Sequence, residues 1–196
     1  MRVGFDSDGV LDNFGEGVRQ TLEAVGKGHV WKSGPTEKPF WNFYEDWGWT
    51  FAEFKELVDF GVDRGIIFSG HWREHAIDAV RKVAELGHEI IIITDRSWGS
   101  DPRHSQQNTV EAFTRAGIEY DELWFSRDKT VAPVDTFVED KLENYDALVD
   151  NGVKTFLINR PWNQVRDARN RINCVCEYAD AIERITLDGF ADLSLV

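Results

Sequence analysis

From residue 75 onward the chain alternates between short apolar runs and longer amphipathic stretches, and this rhythm constrains the fold more than any other feature. Residues 89–93 read Glu-Ile-Ile-Ile-Ile, a β-branched run with no polar face, as expected of a strand covered on both sides. Residues 122–125, 134–138 and 154–158 read as further strands. Residues 76–86, 105–116 and 142–151 carry helical spacing between them, and 164–171 and 178–185 read as closing helices. Strands separated by helices predict a parallel sheet with helices on both faces. Residues 3–5 form one more apolar strand, which runs into the polar loop Asp6-Ser7-Asp8-Gly9.

The segment after that first strand breaks the rhythm. Residues 13–25 have helical spacing, with Phe14, Val18, Leu22 and Val25 on one face. Residues 26–39, rich in Gly, Lys and Pro, read as a loop. An aromatic cluster follows: Phe40, Trp41, Phe43, Tyr44, Trp47, Trp49, Phe51 and Phe54. Residues 51–60 suit a helix and 61–70 an irregular return. The expected fold is therefore α/β, a Rossmann-like parallel-sheet core (residues 1–13 and 75–196) with a small, aromatic-rich helical cap (residues 14–74) inserted after the first strand.

Composition narrows the function classes. The 196 residues, 42% apolar, can bury a substantial core. A formal net charge of −13 argues against a nucleic-acid partner, which calls for a basic face. An acidic chain can still bind phosphate if positive charge is supplied locally by a metal ion, a lysine or a helix N-terminus. Cys174 and Cys176 are too close in sequence for an ordinary bridge within one strand and lack a second pair for zinc, so two reduced thiols are expected. No apolar leader opens the sequence, and the longest aliphatic run is four residues, so a soluble, cytoplasmic protein without membrane association is expected. A homodimer stays open.

In an open parallel sheet, ligands bind at the carboxyl ends of the strands. Asp6 and Asp8 follow the first strand, Thr94 and Asp95 the isoleucine run, and Arg127 and Lys129 the third strand. Glu139 and Asp140 follow the fourth, Asn159 and Arg160 the fifth. Each has an ordinary explanation alone. Asp-x-Asp after a strand is a common turn, Glu139-Asp140 could cap a helix, Thr94 could simply end a strand, and Lys129 could be a solvated charge. Together, carboxylates, a hydroxyl and a lysine converging on one edge make a site for Mg²⁺ and a phosphate, because Mg²⁺ takes oxygen ligands, usually one or two carboxylates with waters and substrate oxygens.

The stretch Phe5-Asp6-Ser7-Asp8-Gly9-Val10-Leu11 resembles the first motif of the haloacid dehalogenase-like superfamily, and Asp6 through Gly17 is similar to the opening of its 5′(3′)-deoxyribonucleotidases. Arg127-Asp128-Lys129-Thr130 and Phe137-Val138-Glu139-Asp140 repeat the order and spacing of their later motifs. The resemblance covers the core well and the cap loosely. It implies that Asp6 is the nucleophile and forms an aspartyl-phosphate. It implies that Asp8 is the general acid and base, and that Asp6, the Asp8 carbonyl and Asp140 hold Mg²⁺. Thr94 and Lys129 would bind the phosphate, and Phe14 would stack on a base, with Phe40, Trp41, Trp47 and Trp49 as candidates for its other side. The competing reading of Phe14 at helical spacing is core packing.

Two positions depart from the nucleotidase pattern. Asp95 stands where a small residue is usual, and as a substrate neighbour it would repel phosphate unless it turned away or paired with Arg96. Glu139 stands where an Asp is usual. The implied activity is Mg²⁺-dependent hydrolysis of a nucleoside monophosphate. Two alternatives remain: a polynucleotide 3′-phosphatase or other phosphatase of the superfamily, and a non-catalytic binding relative, against which intact Asp6 and Asp8 argue.

Overall fold

The computed structural model describes residues 1–31 and 42–193. Six strands, β1 (Arg2–Phe5), β2 (Glu89–Thr94), β3 (Glu122–Phe125), β4 (Thr136–Glu139), β5 (Lys154–Ile158) and β6 (Arg171–Ile172), form one parallel sheet in the order β3-β2-β1-β4-β5-β6. Among the described residues six α-helices connect or cover it: α1 (Phe14–Ala24), α2 (Phe51–Asp63), α3 (Ala76–Glu85), α4 (Pro102–Ala116), α5 (Leu142–Asp150) and α6 (Val175–Leu193).

The isoleucine run explains why the sheet is covered twice. Side chains alternate faces along a strand. Ile90 and Ile92 join Val3, Phe5, Val138 and the apolar faces of α3 and α6 in one cluster, while Ile91 and Ile93 meet Phe137 and Leu148 of α5 in another. All four isoleucines are buried, and each contributes roughly 1.5–3 kcal/mol relative to exposure.

The strand order places the site. The chain starts at β1, winds outward through β2 and β3, then returns to lay β4 on the other flank of β1. The connections at the carboxyl ends of β1 and β4 therefore diverge and open a crevice between them. Phe5 is in register with Val138, and the Asp6 amide donates to the Val138 carbonyl at 3.0 Å. The first residues beyond the two strands are thus side by side.

The described residues between β1 and α3 form a helical layer with an apolar cluster of its own. Phe14, Val18 and Leu22 of α1 pack with Phe43, Tyr44, Phe54, Val58, Ile67 and Phe68. Trp98, from the β2–α4 connection, reaches into it, 6.2 Å from Phe54 between ring centroids. Helix α2 opens on a capping box, with Glu53 N–H donating to Thr50 Oγ1 at 3.3 Å and Thr50 N–H donating to Glu53 Oε2 at 2.8 Å. The chain leaves and re-enters the core at adjacent points: Asn13 N–H donates to the His71 carbonyl and Arg73 N–H to the Leu11 carbonyl, both at 2.8 Å.

Three expectations change. Residues 164–171 are not a helix. The stretch offers one aliphatic side chain large enough to pack, Val165, which is 80% exposed. Its neighbours bond loop backbone instead, Arg171 donating to the carbonyls of Asn163 (2.7 Å) and Arg166 (2.6 Å) on the way into β6. Helix α4 starts three residues early, because Asp101 accepts from the Arg103 amide (3.0 Å) and Pro102 suits the first turn. Cys174 and Cys176 are joined as a disulfide rather than left as two thiols. Cys174 precedes α6 and Cys176 is in its first turn, and the bend into the helix brings their Cα atoms to 5.1 Å, inside the bridging range. Among the described residues no helix is long and apolar enough to cross a membrane. Phe40 and Trp41 lie outside the described residues.

Candidate active site

Asp6, Glu139 and Asp140 meet in the crevice between β1 and β4, all buried, with one carboxylate oxygen of each within 4.8 Å of the others. Lys141 lies in the field of all three, and a second lysine bonds Asp6 directly. Lys129, 5% exposed, is carried over by the loop after β3 and donates to Asp6 Oδ1 and to the Ile93 carbonyl, both at 2.7 Å. Burial works to lower its pKa, but the charges of Asp6 and Glu139 outweigh it, and the ammonium is held. Asp6 Oδ1 also accepts from the Ser7 amide at 2.8 Å, leaving Oδ2 as the candidate nucleophilic oxygen.

Asp8 faces a partner that sequence reading had placed elsewhere. Arg96, with a side chain 1% exposed, grips the Asp8 carboxylate with two bonds, at 2.7 and 3.2 Å. The same guanidinium donates to Thr94 Oγ1 (2.7 Å), Thr109 Oγ1 (2.6 Å) and Ser7 Oγ (3.1 Å), and lies 3.9 Å over the Phe68 ring. Burial pushes Asp8 up from the usual carboxylate range while Arg96 opposes it. Thr94 is thereby fixed beside Asp8, fully buried in this arrangement. Asp95 turns aside: its carboxylate accepts from Arg127 Nε at 2.8 Å, and Arg96 reaches only its backbone carbonyl. The negative charge of Asp95 is thus offset by Arg127, the residue two places before Lys129.

The donor set suits a hard divalent cation. Asp140 Oδ1 and Glu139 Oε2 are buried acceptors with no hydrogen-bond partner, and Asp140 Oδ2 takes one bond, from Trp162 Nε1 at 2.9 Å. Gly9, at φ +78°, brings the loop after β1 so close that a Cβ there would lie 2.1 Å from Asp140 Oδ2. The backbone following Asp8 therefore packs directly on this carboxylate. Oxygen ligands without competing donors fit Mg²⁺. Asp6, the Asp8 carbonyl and Asp140 would hold it, with Glu139 behind them.

Without a cation these acids repel one another. Burial first, then Asp6, pushes Asp140 up from 3.8 to about 6 and Glu139 well above its usual range. Asp12, buried at the foot of α1, is pushed to about 6 by burial and by Asp8. A carboxylate whose folded pKa is raised binds its proton more tightly when folded. Its contribution is present below the unfolded pKa and is lost as pH rises through the folded value. Chelated protein is therefore expected to be more stable near pH 5 than near pH 8, by on the order of 1 kcal/mol for each carboxylate raised to about 6, because only the last unit of the shift lies above pH 5. Mg²⁺ should raise the melting temperature more at the higher pH. Thermal melts at both pH values, with chelator and with Mg²⁺, check this; equal stability at both and indifference to Mg²⁺ would remove the metal site.

The aromatic residues lie in the helical layer over this edge. Phe14 is 5% exposed and stacked on Phe68, ring centroids 5.8 Å apart. Trp47 and Trp49 pack edge-to-face with each other at 5.5 Å, partly buried against the same cluster. Arg96 and Asp12 were the side chains that motif reading undervalued. A sequence signal existed for Arg96, an arginine two residues past the strand-end threonine; for Asp12 it was only an acid just before an amphipathic helix.

No family model matches the chain. A Chlorobaculum tepidum protein named "Putative 5′(3′)-deoxyribonucleotidase" is 29% identical over 172 residues, spanning 83% of this chain and 80% of that one. A solved dehalogenase with an intermediate complex superposes with a TM-score of 0.58 at 13% identity, over 92% of this chain and 96% of that chain. A Bacteroides fragilis structure described as "Putative haloacid dehalogenase-like hydrolase" superposes at 0.56, also at 13% identity, over 90% and 98%. At such identities the superpositions show fold alone: this chain has the parallel-sheet α/β fold of those solved structures.

Proposed function

We propose that this chain is a phosphomonoester hydrolase that works through an aspartyl-phosphate on Asp6, with a nucleoside monophosphate as substrate. The observation that carries the chemistry is the crevice itself, where a buried carboxylate lies against a buried lysine, two further acids with unbonded oxygens, and a clamped second aspartate. The Asp6 carboxylate attacks phosphorus while the ester oxygen leaves with a proton from Asp8. Asp8 then takes a proton from the water that attacks the aspartyl-phosphate, which frees phosphate and restores Asp6. Lys129 and the Thr94 hydroxyl offset charge on the transferring phosphoryl group. Bound Mg²⁺ would reduce repulsion between the Asp6 carboxylate and the phosphate dianion.

The nucleotide half of the reading is supported by the name of the 29% identical relative and by the aromatic layer, which offers faces for one base without a long basic track. Residues 14–74 act in this reading as a cap that keeps water from the acyl-phosphate. Deoxynucleoside monophosphates should be hydrolysed faster than sugar phosphates, and far faster than 3′-phosphorylated oligonucleotides, in a phosphate-release screen with Mg²⁺. A preference for the oligonucleotide would instead indicate a DNA-end phosphatase.

Phe14 is placed at the base by the resemblance and buried against Phe68 by the structure. Phe14→Leu keeps most of the volume and removes the aromatic face. If Phe14 stacks on the base, nucleotide binding weakens by on the order of 1–3 kcal/mol while an aryl phosphate is hardly affected. Equal losses on both substrates would make Phe14 a packing residue only.

A further inference from the structure

This acidic chain pairs its surface arginines freely: Arg2 with Glu89 and Glu122, Arg19 with Glu16 and Glu23, Arg166 with Asp146. Arg73 and Arg160 differ. Both are partly buried, and neither has an ion pair among the described residues. Arg73 Nε is a buried donor with no hydrogen-bond partner. Arg160 uses Nε on the Gly9 carbonyl (2.7 Å) and Nη1 on the Asn159 carbonyl (2.9 Å), which leaves Nη2 without a protein partner among the described residues.

The two arginines line one cavity of about 190 Å³, together with Val10, Glu74, Asn173 and Cys174. Glu74 does not neutralise them; its carboxylate is 3.3 Å from His75 and its side chain is 88% exposed. Burial first, then the neighbouring charge of Arg73, lowers Arg160 to about 10 against the opposing charge of Asp140, and burial lowers Arg73 against Asp140, Asp12 and Asp8. The two guanidinium groups are partly desolvated and repel each other, and an oxyanion bound between them would offset that repulsion. A guanidinium presents a planar fork of donors that fits a phosphate or carboxylate. The location is also specific. Arg160 holds the Gly9 carbonyl, and Gly9 packs on Asp140, so the cavity backs directly onto the loop that carries Asp6 and Asp8.

We propose that Arg73 and Arg160 form an oxyanion subsite beside the crevice, separate from the phosphate position at Lys129 and Thr94, which takes a tetrahedral phosphate group. The group arrives either on the substrate, as the second phosphate of a nucleoside 3′,5′-bisphosphate, or as free inorganic phosphate. The substrate-borne source rests on the phosphatase reading; the site itself does not.

Inorganic phosphate titrated into the chelated protein by calorimetry tests the site without turnover. Wild type should bind it, and Arg73→Gln and Arg160→Gln should each weaken binding by about tenfold or more, with Arg73→Lys recovering part of the loss. The subsite is the component of binding that persists in Lys129→Met and is lost in the arginine variants, and circular dichroism melts establish that each variant folds. KM then separates the sources. A KM raised about tenfold for the 3′,5′-bisphosphate in Arg73→Gln, with the monophosphate unchanged, supports a substrate-borne group. Weakened phosphate binding with both KM values unchanged supports a free oxyanion. No binding by wild type, binding untouched by either arginine variant, or binding that follows Lys129 overturns the subsite. Absence of turnover on every phosphomonoester would defeat the phosphatase reading and leave the titration result standing.

Discussion

Asp6→Asn is expected to reduce phosphate release by about four orders of magnitude or more, the scale seen when a covalent nucleophile is removed. An amide cannot form the acyl-phosphate. The fold should survive, because Asn is nearly isosteric and its side-chain oxygen can still accept from Lys129 and from the Ser7 amide, as Asp6 Oδ1 does now. The substitution also removes one of three mutually repelling buried acids, since Asp6 helps to push up both Glu139 and Asp140. Chelated Asp6→Asn should therefore depend less steeply on pH between about 5 and 8 than wild type. Single-turnover phosphate release with an aryl phosphate, beside pH-dependent melts, makes the measurement. Near wild-type turnover in a folded Asp6→Asn protein would end the covalent mechanism.

Arg96→Leu is expected to cost about 3–5 kcal/mol of stability, the range for breaking a buried ion pair by removing one partner. For a chain of this size that corresponds to a melting temperature lower by about 6–20 °C. The reason is local. Arg96 is fully enclosed, binds Asp8 through two bonds and satisfies Thr94, Thr109 and Ser7 as well. Its removal leaves Asp8 without its counter-charge, so the Asp8 pKa rises further. The penalty should be full at neutral pH and shrink as pH falls and Asp8 takes up a proton. Arg96→Lys keeps the charge but loses the fork, and should recover only part of the stability. Activity should fall by about 10²-fold in Arg96→Lys through misplacement of Asp8. Denaturant melts at neutral and acidic pH read the first effect. An Arg96→Leu protein as stable as wild type at both would show that the ion pair is not what secures Asp8.

The parallel sheet and the residues at its strand ends were legible in the chain because both are local properties. A run such as Ile90–Ile93 carries its burial on both faces in its own composition, and a ligand edge follows once strands alternate with helices. Asp6, Asp8, Thr94, Lys129 and Asp140 each lie within a few residues of a strand end, so the motif order located them before any coordinates. Residues 164–171 misled because helical propensity there had no apolar face to dock, and the segment became a loop bonded to its own backbone. What tertiary structure alone decided was the choice of partners across long separations. Arg96 lies 88 residues from Asp8, and Arg127 is 32 residues from Asp95. Arg160, bonded to a glycine 151 residues away, meets Arg73 only where two connections cross the same sheet edge. Hydrophobic period is written along the chain, but the pairing of charges depends on which strand lies beside which, and that is set by packing of the whole sheet.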